Sequence, residues 1–126
     1  MDRAGKIWNR ACGIENGETL DGDRVLAAML LAHGLIMNGG VLHATECMSP
    51  EELSNAVNAY TYFGKEKIGH LLLTARECID RGNEVELERR EREFDEAYGA
   101  VIPHDGLLVM AFEQDLERSP ERYGKT

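Results

Sequence analysis

Three side chains in the first half of the sequence have the types and the spacing of metal ligands. His43, Glu46 and Cys47 follow one another at i, i+3 and i+4, which places them on one side of an α-helix. Imidazole, carboxylate and thiolate all bind zinc, and His33, about one turn before a glycine break, could approach them. No second pair such as Cys-x-x-Cys accompanies them. An ordinary capped helix with a buried cysteine is therefore favoured, and a small metal-binding protein or enzyme using these residues is an alternative.

The Gly39-Gly40 pair is a second candidate, because backbone amides at the start of a helix at Val41 could bind an anion. No Lys or Arg is adjacent, so the pattern favours a tight turn between two helices. Catalytic motifs such as G-x-S-x-G, a P-loop and G-x-G-x-x-G are absent. A nucleophile also needs a base and an orienting group, and no local motif ties such residues together. The sequence predicts a non-enzymatic protein without a cofactor.

Acidic residues are concentrated between positions 83 and 117. Eleven acids there oppose only Arg89, Arg90 and Arg92, so the segment carries −8 of the net charge of −9. Glu86–Arg90 and Glu88–Arg92 have the i, i+4 spacing of favourable helical pairs. Either the acids form a solvated, salt-bridged surface, or they form a surface that binds a basic partner protein. The candidate residues are Glu84, Glu86, Glu88, Glu91, Glu93, Asp95, Glu96, Asp105, Glu113, Asp115 and Glu117.

The whole chain has 126 residues, with 23 acids and 14 bases. This balance opposes direct binding to nucleic acid or to an anionic membrane. No apolar run approaches the length of a membrane span, and the N-terminus has no apolar signal core. Three widely spaced cysteines, Cys12, Cys47 and Cys78, predict free thiols that are small buried hydrophobic groups. We therefore expect a cytoplasmic protein.

Apolar residues recur mostly every three or four positions, which predicts helices. We expect a single domain over 1–126, all-α, built as a compact orthogonal or bundle-like array of about six to seven helices. The helix at about 23–37 is apolar on nearly every side, so it should be central and largely buried. The local signals are a first stripe at Ile7–Cys12, an N-cap at Asp21-Gly22-Asp23, a break at Asn38-Gly39-Gly40, a short helix at 41–47, a capping box at Ser49-Pro50-Glu51-Glu52, breaks at Gly64 and Gly82, a charged helix at 84–98, a last long helix from Pro103-His104-Asp105-Gly106 and a final turn at Ser119-Pro120-Glu121.

The stretch from Gly34 to His43 resembles the signature of the DNA-mimic-protein family, in which an apolar helix is followed by Asn-Gly-Gly. Asn38, Gly39 and Gly40 match that motif in place. The chain departs from it where Val41 and His43 replace a favoured aromatic residue and a glutamine. The likeness covers about 25–123. It implies an all-helical, acidic, dimeric bacterial protein whose surface imitates DNA and sequesters a DNA-binding protein.

The charge of one helix is small for that role. DNA shows about one negative charge per 1.7 Å of axis, so about 21 Å, the length of a 14-residue helix, corresponds to about 12 charges. Segment 83–96 has seven acids and three arginines, a net charge of −4. Mimicry would need the last helix alongside, or a second subunit. We predict an acidic protein-binding domain for a basic partner, and the resemblance implies that this partner is a DNA-binding protein. An immunity-like protein that neutralises a toxin is an alternative.

Overall fold

The computed structural model describes residues 2–14 and 16–126, and this part of the chain is all-helical. The predicted fold class is confirmed, with seven α-helices and one short 3-10 helix over the described ranges. The helices are α1 (Arg3–Ala11), α2 (Asp21–Gly39), α3 (Val41–Cys47), α4 (Pro50–Tyr62), α5 (Glu66–Arg81), α6 (Glu84–Val101), α7 (Gly106–Arg118) and the 3-10 helix η1 (Pro120–Arg122). None of the described helices is long and apolar enough to cross a membrane.

Most helix ends follow from local sequence signals. The Ser49 side chain accepts a hydrogen bond from the Glu52 amide, and the Glu52 carboxylate accepts one from the Ser49 amide. This reciprocal capping box confirms the predicted start of α4. Gly82 ends α5 in the left-handed conformation, as a helix C-terminus favours. The N-cap predicted at Asp21 is wrong, because α2 already begins there and Leu20 precedes it as the cap.

Helix α2 is central, since it packs against α1, α3, α4 and η1. Leu26, Met29 and Ala32 on this helix are fully buried. The expectation that α2 is buried on nearly every side is wrong for two residues: Leu31 is 44% exposed and Met37 is 64% exposed. One side of α2 therefore faces solvent, even though its sequence is apolar almost all round.

Helices α6 and α7 pack on different neighbours. Helix α6 lies against α5 and α3, and Phe94 and Tyr98 are its buried anchors. Helix α7 contacts α1 through Phe112, whose ring centroid lies 5.8 Å from that of Trp8. Within the described residues, α6 and α7 do not pack along one another. The acids of α7 therefore do not lie alongside those of α6, which was one of the two arrangements that DNA mimicry would need.

Candidate acidic interface between α3 and α6

An open groove of about 370 Å³ lies between α3 and α6. Its acidic side chains are Glu84, Glu88 and Glu91 from α6 and Glu46 from α3, and these four residues are called the acidic groove below. The spacing i, i+4, i+7 on α6 puts its three carboxylates on one face. All four are exposed, and none forms an ion pair with another described residue.

The glycine pair shapes the end of this groove. The His43 ring packs directly on Gly39, where any side-chain carbon would collide with the imidazole. Gly40 has a φ of +93°, a conformation that side-chain-bearing residues rarely adopt. A Cβ at Gly40 would also lie 3.0 Å from both carboxylate oxygens of Asp95. Asn38 is exposed beside them, so the Asn-Gly-Gly motif forms a tight corner with a side chain packed on each glycine.

Asp95 explains why the corner does not present a free anion site. Its Oδ1 accepts a hydrogen bond of 2.8 Å from the Val41 amide, the first residue of α3. A carboxylate of the chain itself therefore caps this helix start, where negative charge is favourable. The structure thus supports the tight-turn interpretation of Gly39-Gly40. It also corrects the role of Asp95: one of its oxygens caps α3 and is not freely available to a partner.

Several of the other predicted acids on α6 are neutralised by arginines. Glu86 Oε1 lies 2.5 Å from Arg81 and 3.8 Å from Arg90, so the predicted Glu86–Arg90 pair is confirmed. The hydrogen bond from Arg81 holds the pKa of Glu86 below its ordinary value. Arg90 also lies 3.4 Å from Glu93. Glu86 and Glu93 are half-buried and exposed, respectively, but arginines of the chain itself already pair with their carboxylates.

The predicted Glu88–Arg92 pair does not form. Arg92 donates instead to Glu96, at 2.9 Å. Both pairings have the i, i+4 spacing, so the sequence alone could not choose between them. Because Arg92 pairs with Glu96, the Glu88 carboxylate has no ion-pair partner among the described residues, and it lines the acidic groove.

The predicted acids near and on α7 behave differently again. Asp105 Oδ1 lies 2.8 Å from His33 Nε2. Asp115 is only 7% exposed, and its two oxygens each accept a hydrogen bond of 2.7 Å, one from Tyr62 and one from Tyr123. Its prediction as a partner-binding surface residue is therefore wrong. Glu113 and Glu117 are exposed, but they lie on α7, away from the groove between α3 and α6.

The candidate metal ligands are only partly brought together. Cys47 Sγ lies 3.7 Å from His43 Nε2. His43 and Glu46 both line the groove between α3 and α6, whereas Cys47 does not. Among residues 2–14 and 16–126, no group of three or more His, Cys, Asp or Glu side chains is arranged to hold a metal ion. His33 does not approach His43, because Tyr98 and Asp105 engage both of its ring nitrogens.

A buried hydrogen-bonded chain that was not predicted from the sequence links α2, α4 and α6. His33 Nδ1 lies 2.7 Å from the Tyr98 hydroxyl, which lies 2.7 Å from the Tyr60 hydroxyl. Burial raises the pKa of Tyr98 to about 12, with the nearby Asp105 charge adding to the effect and the Tyr60 hydrogen bond opposing it. The order Asp, His, Tyr suggests a proton relay, but Tyr98 is 3% exposed and Tyr60 is fully buried. A substrate could not reach these hydroxyls, so the chain holds helices together.

The three cysteines are free thiols, as predicted, but they share no common environment. Cys78 is buried, whereas Cys12 and Cys47 are exposed. The expectation of three buried hydrophobic side chains is therefore right for one cysteine and wrong for two. Exposure of Cys47 follows from its position at the end of the seven-residue helix α3, on the same side as His43.

Comparisons of the chain with protein-family models, with curated proteins and with solved structures find no match.

Proposed function

We propose that this chain is a non-enzymatic binding domain whose acidic groove takes a Lys- and Arg-rich segment of a partner protein. The observation that carries the proposal is the set of four carboxylates in one groove with no ion-pair partner among the described residues. Elsewhere on α6 the acids are paired with arginines or cap a helix. Among the acids of α6, those in the groove are thus the ones whose negative charge remains available to another molecule.

The density of this charge supports a local imitation of a nucleic-acid backbone. Glu84 to Glu91 span about 10.5 Å of helix axis. Over that length, duplex DNA shows about six charges and one of its strands about three. The three free carboxylates of α6 match the single strand, and Glu46 raises the total to four. Counted as carboxylates alone, the groove therefore reaches about two-thirds of the duplex density. Segment 83–96 reached about one-third when its three arginines were subtracted.

The proposal is tested by removing charge from the groove while the shape of the side chains is kept. In the triple variant E84Q/E88Q/E91Q, three carboxylates become amides of similar size on an exposed face. Binding is measured by fluorescence anisotropy with a labelled helical peptide of about 20 residues, carrying lysine at every third or fourth position. Exposed ion pairs contribute about 0.2–1 kcal/mol each, so we expect the affinity to fall by about tenfold. The wild-type affinity should also fall as salt is added.

A matched control separates the groove from the overall charge. The variant E113Q/E117Q/E121Q also removes three negative charges, but from exposed positions on and after α7. Its affinity should stay within about threefold of wild type, because long-range effects are screened over about 10 Å in moderate salt. Equal losses in the two triple variants would show that the peptide senses only net charge, and the groove would then have no special role.

A further inference from the structure

A second pocket, of about 330 Å³, lies between the α4–α5 corner and one face of α7. It shares no residue with the acidic groove. Gly64 at the corner has a φ of +77°, which turns the chain and brings Lys65 to the rim. Apolar surface comes from Phe63, Leu107 and Met110, and Met110 is 54% exposed. The pocket therefore combines an apolar wall with a polar rim.

The rim is positive although the protein is strongly acidic. Lys65 is half-buried and Arg118 is exposed, and neither forms an ion pair within the described part of the chain. The carboxylate of Asp115 also lines the pocket, but hydrogen bonds from Tyr62 and Tyr123 engage both of its oxygens. Two unpaired cations thus face one carboxylate that is already bound within the fold.

We propose that this pocket binds a small amphipathic anion, a carboxylate on a short apolar body. Arginine recognises carboxylates through its planar fork of donors, and lysine adds a compact charge. Phe63, Leu107 and Met110 would receive the apolar part. At about 30 Å³ per water-sized group, the volume holds about eleven such groups, which suits a ligand the size of octanoate.

Octanoate is the probe, added to the ¹⁵N-labelled full chain while amide shifts are followed by NMR. We expect saturable shifts of the amides around 62–65 and 107–118. The variants K65Q and R118Q should each weaken octanoate binding by about tenfold, since each removes a charge-assisted hydrogen bond. The control K67Q removes an exposed lysine two positions from Lys65 that does not line the pocket. It should bind octanoate like wild type.

Two further probes distinguish the parts of the site. Octanol carries the same apolar body without the charge, and acetate carries the charge without the body, so each should bind at least tenfold more weakly than octanoate. Equal binding of octanol would overturn the role of Lys65 and Arg118. Equal binding of acetate would overturn the role of the apolar wall. Shifts confined to other residues, an unchanged affinity in K65Q and R118Q, or no saturation by octanoate would each reject the pocket as the site.

Discussion

Replacing Asp23 by asparagine should strongly destabilise this protein. Asp23 is 2% exposed, and its Oδ1 lies 2.7 Å from Arg10. Its Oδ2 accepts hydrogen bonds from the amides of Leu20, at 3.0 Å, and Gly124, at 2.6 Å. Arg10 also donates to the carbonyl oxygen of Lys125, at 2.7 Å. The pair therefore joins α1, the start of α2 and the C-terminal segment.

The size of the effect follows from what D23N leaves behind. Removing one partner of a buried ion pair costs about 3–5 kcal/mol, because the other charge stays buried without compensation. Asparagine retains one oxygen acceptor, so we expect the lower end, about 3 kcal/mol. A domain of this size is stable by about 5–15 kcal/mol. The melting temperature should fall by about 10 °C.

The pH dependence gives an independent readout. Burial alone would raise the pKa of Asp23, but the hydrogen bonds from Leu20 and Gly124 and the charge of Arg10 outweigh it and lower the pKa below its ordinary value of 3.8. A lowered pKa stabilises the fold above the unfolded-state value and loses this contribution as pH falls through the folded-state value. The difference in unfolding free energy between wild type and D23N should therefore be largest at neutral pH and should shrink below about pH 4.

Urea unfolding, followed by circular dichroism between neutral pH and below about pH 4, measures both the loss of unfolding free energy in D23N and its pH dependence. A double-mutant cycle with R10M tests the pair itself, since D23N/R10M should cost at least about 1 kcal/mol less than the sum of the single variants. A loss below about 1 kcal/mol in D23N, additive costs in the cycle, or an unchanged acid dependence would each refute this account of the Arg10–Asp23 pair.

Three other changes have predictable results. D95A removes the carboxylate that caps α3 at Val41, and urea unfolding should show a loss of about 0.5–2 kcal/mol. G39A should destabilise the fold because the new methyl group meets the His43 ring, but in an H43A background it should stabilise by up to about 1 kcal/mol, since alanine favours a helix. Burial raises the pKa of all four tyrosines, that of Tyr98 to about 12, so absorbance near 295 nm should show little tyrosine ionisation in the folded protein at pH 10. The contribution of Tyr98 to stability is complete below the unfolded-state pKa of about 10 and is lost as pH rises from there through the folded-state pKa.

Each of these has a control within the chain. D95N keeps an oxygen that can accept from Val41, so it should cost less than D95A, and an equal cost would argue against capping. A destabilising G39A in the H43A background would show that the imidazole is not what the methyl group meets. For the tyrosines, protein unfolded in urea supplies the reference, and matching titrations of folded and unfolded protein would contradict the raised pKa values of the four tyrosines.

The sequence alone determined the helices, because the signals that start and stop them act over a few residues. Ser49 and Glu52 cap α4 across three positions, and Gly82 ends α5 by adopting the left-handed backbone conformation. The break at Gly39 and Gly40 was equally visible. What could not be seen was what packs on Gly40, since the Asp95 carboxylate that does so lies more than fifty residues later.

Tertiary structure decided which charges are free. Asp95, Asp115 and Glu88 are equivalent in sequence, as acids on helices in a charged region. Packing makes one a helix cap, buries the second under two tyrosine hydroxyls and leaves the third in an open groove. Local spacing cannot distinguish these outcomes, because the free energy of a carboxylate depends on donors and burial supplied by distant parts of the chain. The candidate interface is therefore a product of the fold: the sequence predicted Glu84, Glu88 and Glu91 as part of an acidic surface, but Glu46 only as a metal ligand.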